Sequence, residues 1–190
     1  MTGTKHPCVL RAELHSHSSL SHDGRDPIEL ILGQAAAVGL DALAITDHDA
    51  VEASTAAAEK ASKYGLIGVP GIEVSSQAGH ILGIGVTELI PKGRSFEGTI
   101  ELIHEAGGIA ILPHPFQKSR HGVGPNVPSD VLAMADAIEV YNSRLLTGRG
   151  NRQARQFAET YNMPMTAGSD AHISEMVGQA VTSIDTDDRS

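Results

Sequence analysis

Tryptophan is absent, cysteine occurs once, at Cys8, and only three Tyr and three Phe are present in 190 residues. A lone cysteine cannot close a disulfide within the chain, so the fold must rest on packing, and a reducing setting is expected. Cys8 stands in the apolar run entering the first strand, where a buried hydrophobe fits better than a free nucleophile. So few aromatics leave little for a base-stacking platform. Basic residues are also scarce, 14 Lys and Arg against 23 Asp and Glu, and the formal charge of -9 argues against nucleic acid as a partner. No stretch approaches the roughly 18 apolar residues that cross a bilayer, and "MTGTKHPCVL" lacks the apolar segment of a signal peptide. A soluble, cytoplasmic protein with no membrane partner is the expectation.

What is present alternates short aliphatic runs with helical stretches, the pattern of βα units around a parallel sheet. "RDPIELILGQAAAVGL" offers Asp26 as N-cap, Pro27 at the first helical position and Gly39 as terminator. After a first run near residues 9–12, aliphatic runs at 42–46, 66–69, 80–86, 109–112, 137–141, 163–167 and 180–184 give about eight strands. There is no repeat, linker or low-complexity segment, so one domain over residues 1–190 is expected. With about eight strands, a closed barrel is favoured over an open sheet, and such barrels collect their chemistry at the C-terminal ends of the strands.

Titratable residues fall at those ends. His15 and His17 follow the first strand, Asp47 and His48 the second, Glu73 the third, His114 the run "IAIL", and Asp170 and His172 the run "MPMTA". His80 begins the strand after Glu73. On extended backbone, residues i and i+2 point the same way, so His15 with His17, and Asp170 with His172, can each grip one ion. Imidazoles and carboxylates without thiolates suit zinc, iron or manganese and argue against a structural zinc knot. More than four ligands imply more than one ion. His6, His104 and His121 stand outside this order and read as surface residues. Glu139 and Tyr141 alternate with Ile138 and Val140, so one of the two sets faces the interior or the mouth, as polar packing or as support behind the ligands.

In this order "HSHSSLSHDG", "ITDHD", "GIEVS", "GHILGIG", "LPHP", "IEVYN" and "GSDAH" resemble the PHP family, named for polymerase and histidinol phosphatase, over about residues 10 to 184. The resemblance implies a distorted (β/α)7-type barrel in the α/β class, with a site of two or three divalent ions at the C-terminal strand ends, and phosphoesterase activity. Carried over position by position, it makes His15, His17, Asp23, His48, Glu73, His80, His114, Asp170 and His172 metal ligands, with Glu73 as the bridging acid. Many members read "SDG" where this chain reads "SHDG", so His22 rivals Asp23; the retained Asp-Gly pair favours Asp23. Only 41 residues separate Glu73 from His114 and 56 separate His114 from Asp170, which leaves no room for an inserted lid. The family usually continues into a closing helix where this chain reads "DTDDRS", so a truncated or minimal PHP domain is expected.

The chemistry that follows is hydrolysis of a small phosphorylated metabolite or nucleotide by a hydroxide bridging two ions of Zn, Mn or Fe. Glu73, Asp170 and His172 are the expected catalytic residues, and Arg144 and Arg120 the expected phosphate contacts, with Lys118 and His121 near them. A PHP-type 3′ exonuclease, a metal-stabilised module without turnover, and amidohydrolase-type cleavage of a C–N bond are the competing readings.

Overall fold

A computed structural model describes residues 8–145 and 147–186. His6 and the side chain of Cys8 lie outside the described residues. Nine strands and five α-helices occur among the described residues. In chain order they are β1 Cys8–Glu13, α1 Ile28–Ala37, β2 Ala42–Ala44, α2 Glu52–Ala61, β3 Ile67–Val69, β4 Gly71–Ser75, β5 His80–Ile84, α3 Phe96–Glu105, β6 Ile109–Leu112, α4 Ser129–Leu132, β7 Ala137–Asn142, α5 Arg149–Tyr161, β8 Met165–Gly168 and β9 Thr182–Thr186. None of these helices is long and apolar enough to cross a membrane.

The mixed α/β class expected from the alternation is present, but among the described residues no continuous ladder closes a barrel. The strands form two sheets, ordered β3-β2-β1-β9 and β4-β5-β6-β7-β8. Two isolated parallel bridges, Ser16 to Ala171 and His48 to Glu73, are the ladder contacts between them. Strand β5 runs antiparallel to both β4 and β6, and β9 antiparallel to β1, so a regular (β/α)7 alternation is broken in two places. The change from one sheet to the other falls at Pro70-Gly71. Proline cannot donate to a ladder, and the chain leaves β3 there to begin β4 in the second sheet. Glu73 therefore sits in the middle of β4 instead of after β3, as the spacing alone suggested.

Helices α1 and α2 bury Ile31, Leu32, Ala35, Ala53 and Ala57 against the first sheet, and α3 and α5 bury Phe96, Ile100, Ile103 and Ala158 against the second. Asp26 does not cap α1. Pro27 occupies the N-cap without a side-chain bond, and Asp26 Oδ2 accepts from the Ser174 N–H at 2.6 Å instead. A third cluster, including Ala12, Ala42, Ala44, Leu82, Ile111 and Ala137, packs the two sheets against each other. Its small side chains let the sheets approach, and the polar ends of the strands converge beside it.

Candidate metal centre

Each element end delivers its own polar residue. Past β1 the chain is pinned by hydrogen bonds from His17 N to Ala171 O and from Thr46 N to Ser16 O, both 2.8 Å. These fix His15 and His17 on one side, facing β4. Asp47, one of the strand-end acids, turns away from the cluster. Its carboxylate accepts from Ser18 N at 2.7 Å and Ser18 Oγ at 2.6 Å, which shapes the turn that carries Asp23. Gly24 is required in that turn, because a Cβ would strike the Ser18 carbonyl. Two of the converging residues, His114 (φ 32°) and Asp170 (φ 52°), hold left-handed backbone conformations that non-glycine residues seldom adopt. Such strain concentrates at functional sites.

Glu73 is the centre of the arrangement. Its Oε2 lies 3.4 Å from His15 Nε2, 3.2 Å from His17 Nε2 and 3.5 Å from His48 Nδ1. Its Oε1 lies 2.9 Å from His80 Nδ1 and 3.3 Å from His114 Nε2. Thus the two oxygens of one carboxylate face two different sets of imidazoles. Asp170 Oδ1 approaches the first set, 3.7 Å from His15 Nε2 and 3.6 Å from His17 Nε2. At the open side Asp23 Oδ2 meets His172 Nε2 at 2.6 Å and His48 Nε2 at 3.5 Å. All nine residues named from the family motifs are thereby brought together, in four overlapping groups whose donor atoms lie within 4.8 Å of one another. His22 is exposed and belongs to none of these groups, although its ring is 5.0 Å from that of His48.

The donors are not satisfied by one another. Both nitrogens of His17, Nδ1 of His80, Nδ1 of His114 and Oε1 of Glu73 are buried without a hydrogen-bond partner. Buried polar atoms are normally paired, and leaving one unpaired costs roughly 1–3 kcal/mol. The unpartnered His17 Nε2, His80 Nδ1 and Glu73 Oε1 lie among the converging donor atoms, where cations would satisfy them, so the residues fit divalent metal ions. Their hard and borderline N/O chemistry suits Zn, Mn or Fe.

Protonation follows the same geometry. Burial pushes His48 down to about 4, and burial, His17 and Arg144 together lower His172, so both are neutral near pH 7 with lone pairs available. Burial opposes the charged form of Glu73 and Asp170, but His15 and the neighbouring imidazoles outweigh it and hold both carboxyls low. Asp23 is likewise held low, against burial, by the Ser21 hydroxyl and the His172 imidazole. Burial lowers His15, yet the carboxylates of Glu139, Asp170 and Glu73 overcome it and hold that imidazole well above its usual range.

Behind the cluster stand two buried carboxylates. Glu139, whose role the sequence left open, lies 3.1 Å from His15 Nδ1. Glu13 accepts from the backbone N–H groups of His15, Ser169 and Gly178. The only sequence signals were Glu139 within "IEVYN" and the position of Glu13 two residues before His15. His104 pairs with Asp136 away from the site. His121, in contrast, lines the cavity with its ring 5.0 Å from that of His80. The cavity over the cluster holds about 1150 Å³, and Lys118, Arg120 and Arg144 line it. Arg120 and Arg144 reach Asp170 at 2.9 and 3.3 Å, and Arg144 Nη1 lies 2.7 Å from His172 Nδ1.

A mixed α/β fold with a cluster of His, Asp and Glu side chains suited to metal ions at converging strand ends defines the class, and comparison with known proteins places the chain within it. Residues 148–190 match the family model PHP_C, described as PHP-associated. The chain is 34% identical over 144 residues to an uncharacterized protein of Methanocaldococcus jannaschii, covering 70% of this chain and 82% of the relative. It is 45% identical over 99 residues to the phosphoribosyl 1,2-cyclic phosphate 1,2-diphosphodiesterase of Eggerthella lenta, covering 48% of this chain and 37% of that protein. Its fold superposes with a TM-score of 0.79 and 22% identity on a two-domain protein from Bacteroides vulgatus containing a predicted PHP-like metal-dependent phosphoesterase. That match covers 97% of this chain and 60% of the structure. The chain belongs to the PHP family.

Proposed function

We propose that the protein hydrolyses a small phosphorylated metabolite or nucleotide with two to three divalent ions. The ligands would be His15, His17, Glu73 and Asp170 for one ion, Glu73, His80 and His114 for a second, and Asp23, His48 and His172 for a third. The observation that carries this reading is the division of the Glu73 oxygens between two sets of imidazoles, the disposition a bridging carboxylate needs. When bound, such ions supply charge neutralisation for a phosphate and a water acidified to near neutral pH.

The chain's own residues do the rest. Glu73 and Asp170 remain anionic in a buried site, where they would offset the repulsion between neighbouring cations. When the Nε2 lone pair of His172 takes an ion, the ring proton resides on Nδ1, 2.8 Å from the Asp170 carbonyl that would accept it. Arg120 and Arg144 bring two guanidinium groups to the cavity wall, where they suit the oxygens of a phosphate, and paired N–H donors make arginine a specific phosphate partner. A cavity of about 1150 Å³ has room for a nucleotide-sized compound.

The test is an assay of protein loaded in turn with Zn, Mn and Fe against a phosphomonoester, a phosphodiester, single-stranded DNA and an N-acyl amide. Turnover of a small phosphoester supports this reading. Turnover of DNA alone favours the exonuclease, turnover of the amide alone favours C–N hydrolysis, and none with any metal favours a module without turnover.

A further inference from the structure

Strand β7 carries a register shift between Glu139 and Tyr141 in its pairing with β8. A bulge adds one residue to one strand and reverses the side to which the following residues point. Glu139 and Asn142, three apart and ordinarily on opposite faces, are both buried at the site, whereas Tyr141 is turned out to 48% exposure. The alternation in "IEVYN" would have grouped Tyr141 with Glu139, and the bulge is why it does not.

The re-aimed pair touches three of the proposed ligands. Glu139 Oε1 lies 3.1 Å from His15 Nδ1, and Glu139 Oε2 accepts from His114 N at 2.8 Å and from Asn142 Nδ2 at 2.9 Å. Asn142 Nδ2 also lies 3.4 Å from Asp170 Oδ2. Asn142 is clamped in turn by Asn151 of α5, which accepts from its N–H at 3.1 Å and donates to its carbonyl at 3.2 Å. Gly168 leaves the space this requires: a Cβ there would strike Glu139 Oε1 and stand 2.7 Å from His15 Cβ.

The backbone N–H of His114 and the Nδ2 group of Asn142 can only donate, so Oε2 must be an acceptor. The His15 ring presents Nε2 to Glu73 and Asp170, so when that lone pair binds an ion the proton resides on Nδ1, and Oε1 must be an acceptor as well. We propose that Glu139 is a positioning residue for the metal centre: one carboxylate that fixes the tautomer and aim of His15 while anchoring the β6 end that presents His114. This rests on the phosphoesterase reading. An amide of the same size has one acceptor and one donor, so Glu139→Gln must leave either His15 Nδ1–H or the His114 N–H facing another donor. Partners behind a ligand typically change metal affinity by about 10–100-fold.

The experiment is a metal titration of full-length wild type and E139Q, by competition with a chromophoric chelator, together with 15N NMR of the histidine rings in the zinc-loaded wild-type protein. Expected are an affinity at least tenfold weaker in E139Q for one or more ions, and a His15 ring protonated at Nδ1 and unprotonated at Nε2. Equal affinity and stoichiometry in E139Q overturns the proposal and leaves the phosphoesterase reading standing. A wild-type protein that binds no metal overturns both. Should E139Q fail to fold, the wild-type spectrum decides alone, because a His15 ring protonated at Nε2 in the loaded protein overturns the role given to Glu139.

Discussion

His172 Nε2 and Asp23 Oδ2 lie 2.6 Å apart although 149 residues separate them in sequence, and this contact ties the loop after β1 to the loop after β8. It bears directly on the inserted residue of "SHDG". Asp23→Ala is expected to lose one ion and most phosphoesterase activity, whereas His22→Ala keeps both near wild type. Metal content and turnover of the two variants, measured side by side, check this; the reverse pattern would place His22 in the site.

Glu73→Gln is expected to lower turnover at least ~100-fold, the scale on which loss of a key electrostatic group acts. From the sequence, the metal-free variant should be unchanged or slightly more stable, because repulsion among Asp23, Glu73 and Asp170 is relieved. The geometry reverses that sign, because Glu73 is ringed by five imidazoles and its carboxyl is held low. A depressed carboxyl stabilises the fold above its unfolded pKa, so the chelated variant should melt below wild type at pH 7. Near-normal turnover at matched metal content would mean that Glu73 is only a wall of the site.

Metal uptake should release protons. His15 is held well above its usual range by Glu139, Asp170 and Glu73, so near neutral pH an incoming ion must displace its proton. Affinity should rise from pH 6 to pH 8, by roughly tenfold per pH unit for each proton displaced. Calorimetric titration in buffers of different ionisation enthalpy measures the number released, and zero at pH 6.5 would contradict the protonation assigned to His15.

Glu13 gives a second pH signature, separate from the ions. Burial pushes its carboxyl up to about 7 from an ordinary 4.5, only partly offset by bonds from Ser169, Gly178 and His15. The fold therefore favours the protonated form. That stability is fully present below pH 4.5 and is lost as pH rises through about 7. Glu13→Gln does not titrate, so relative to wild type it should gain on the order of 2–3 kcal/mol between pH 5 and pH 8. Urea unfolding of both chelated proteins at the two pH values checks this, since any constant cost of the amide cancels.

The proposed ligands were legible because each occupies a short motif of the family pattern, and most of these motifs stand at the end of an aliphatic run. The first helix was roughly placed by Pro27 at its start and Gly39 past its end. Three things were hidden. The change of sheet at Pro70-Gly71 depends on which strand pairs with which, and local pattern does not encode pairing. The inward turn of Asn142 depends on a bulge that breaks the two-residue alternation on which strand reading rests. The support given by Glu13 and Glu139 arises from contacts spanning up to 165 residues, and a lone Glu in an apolar strand carries no local mark of such partners.

The central claim is that one carboxylate, Glu73, is shared between ions held by two sets of imidazoles. The most direct measurement is elemental analysis of the wild-type protein and of Glu73→Gln after saturation with Zn or Mn and removal of loosely bound metal. Two to three ions per wild-type chain, with at least one lost in the variant, is the expected result. One ion or fewer per wild-type chain under saturating supply would contradict it.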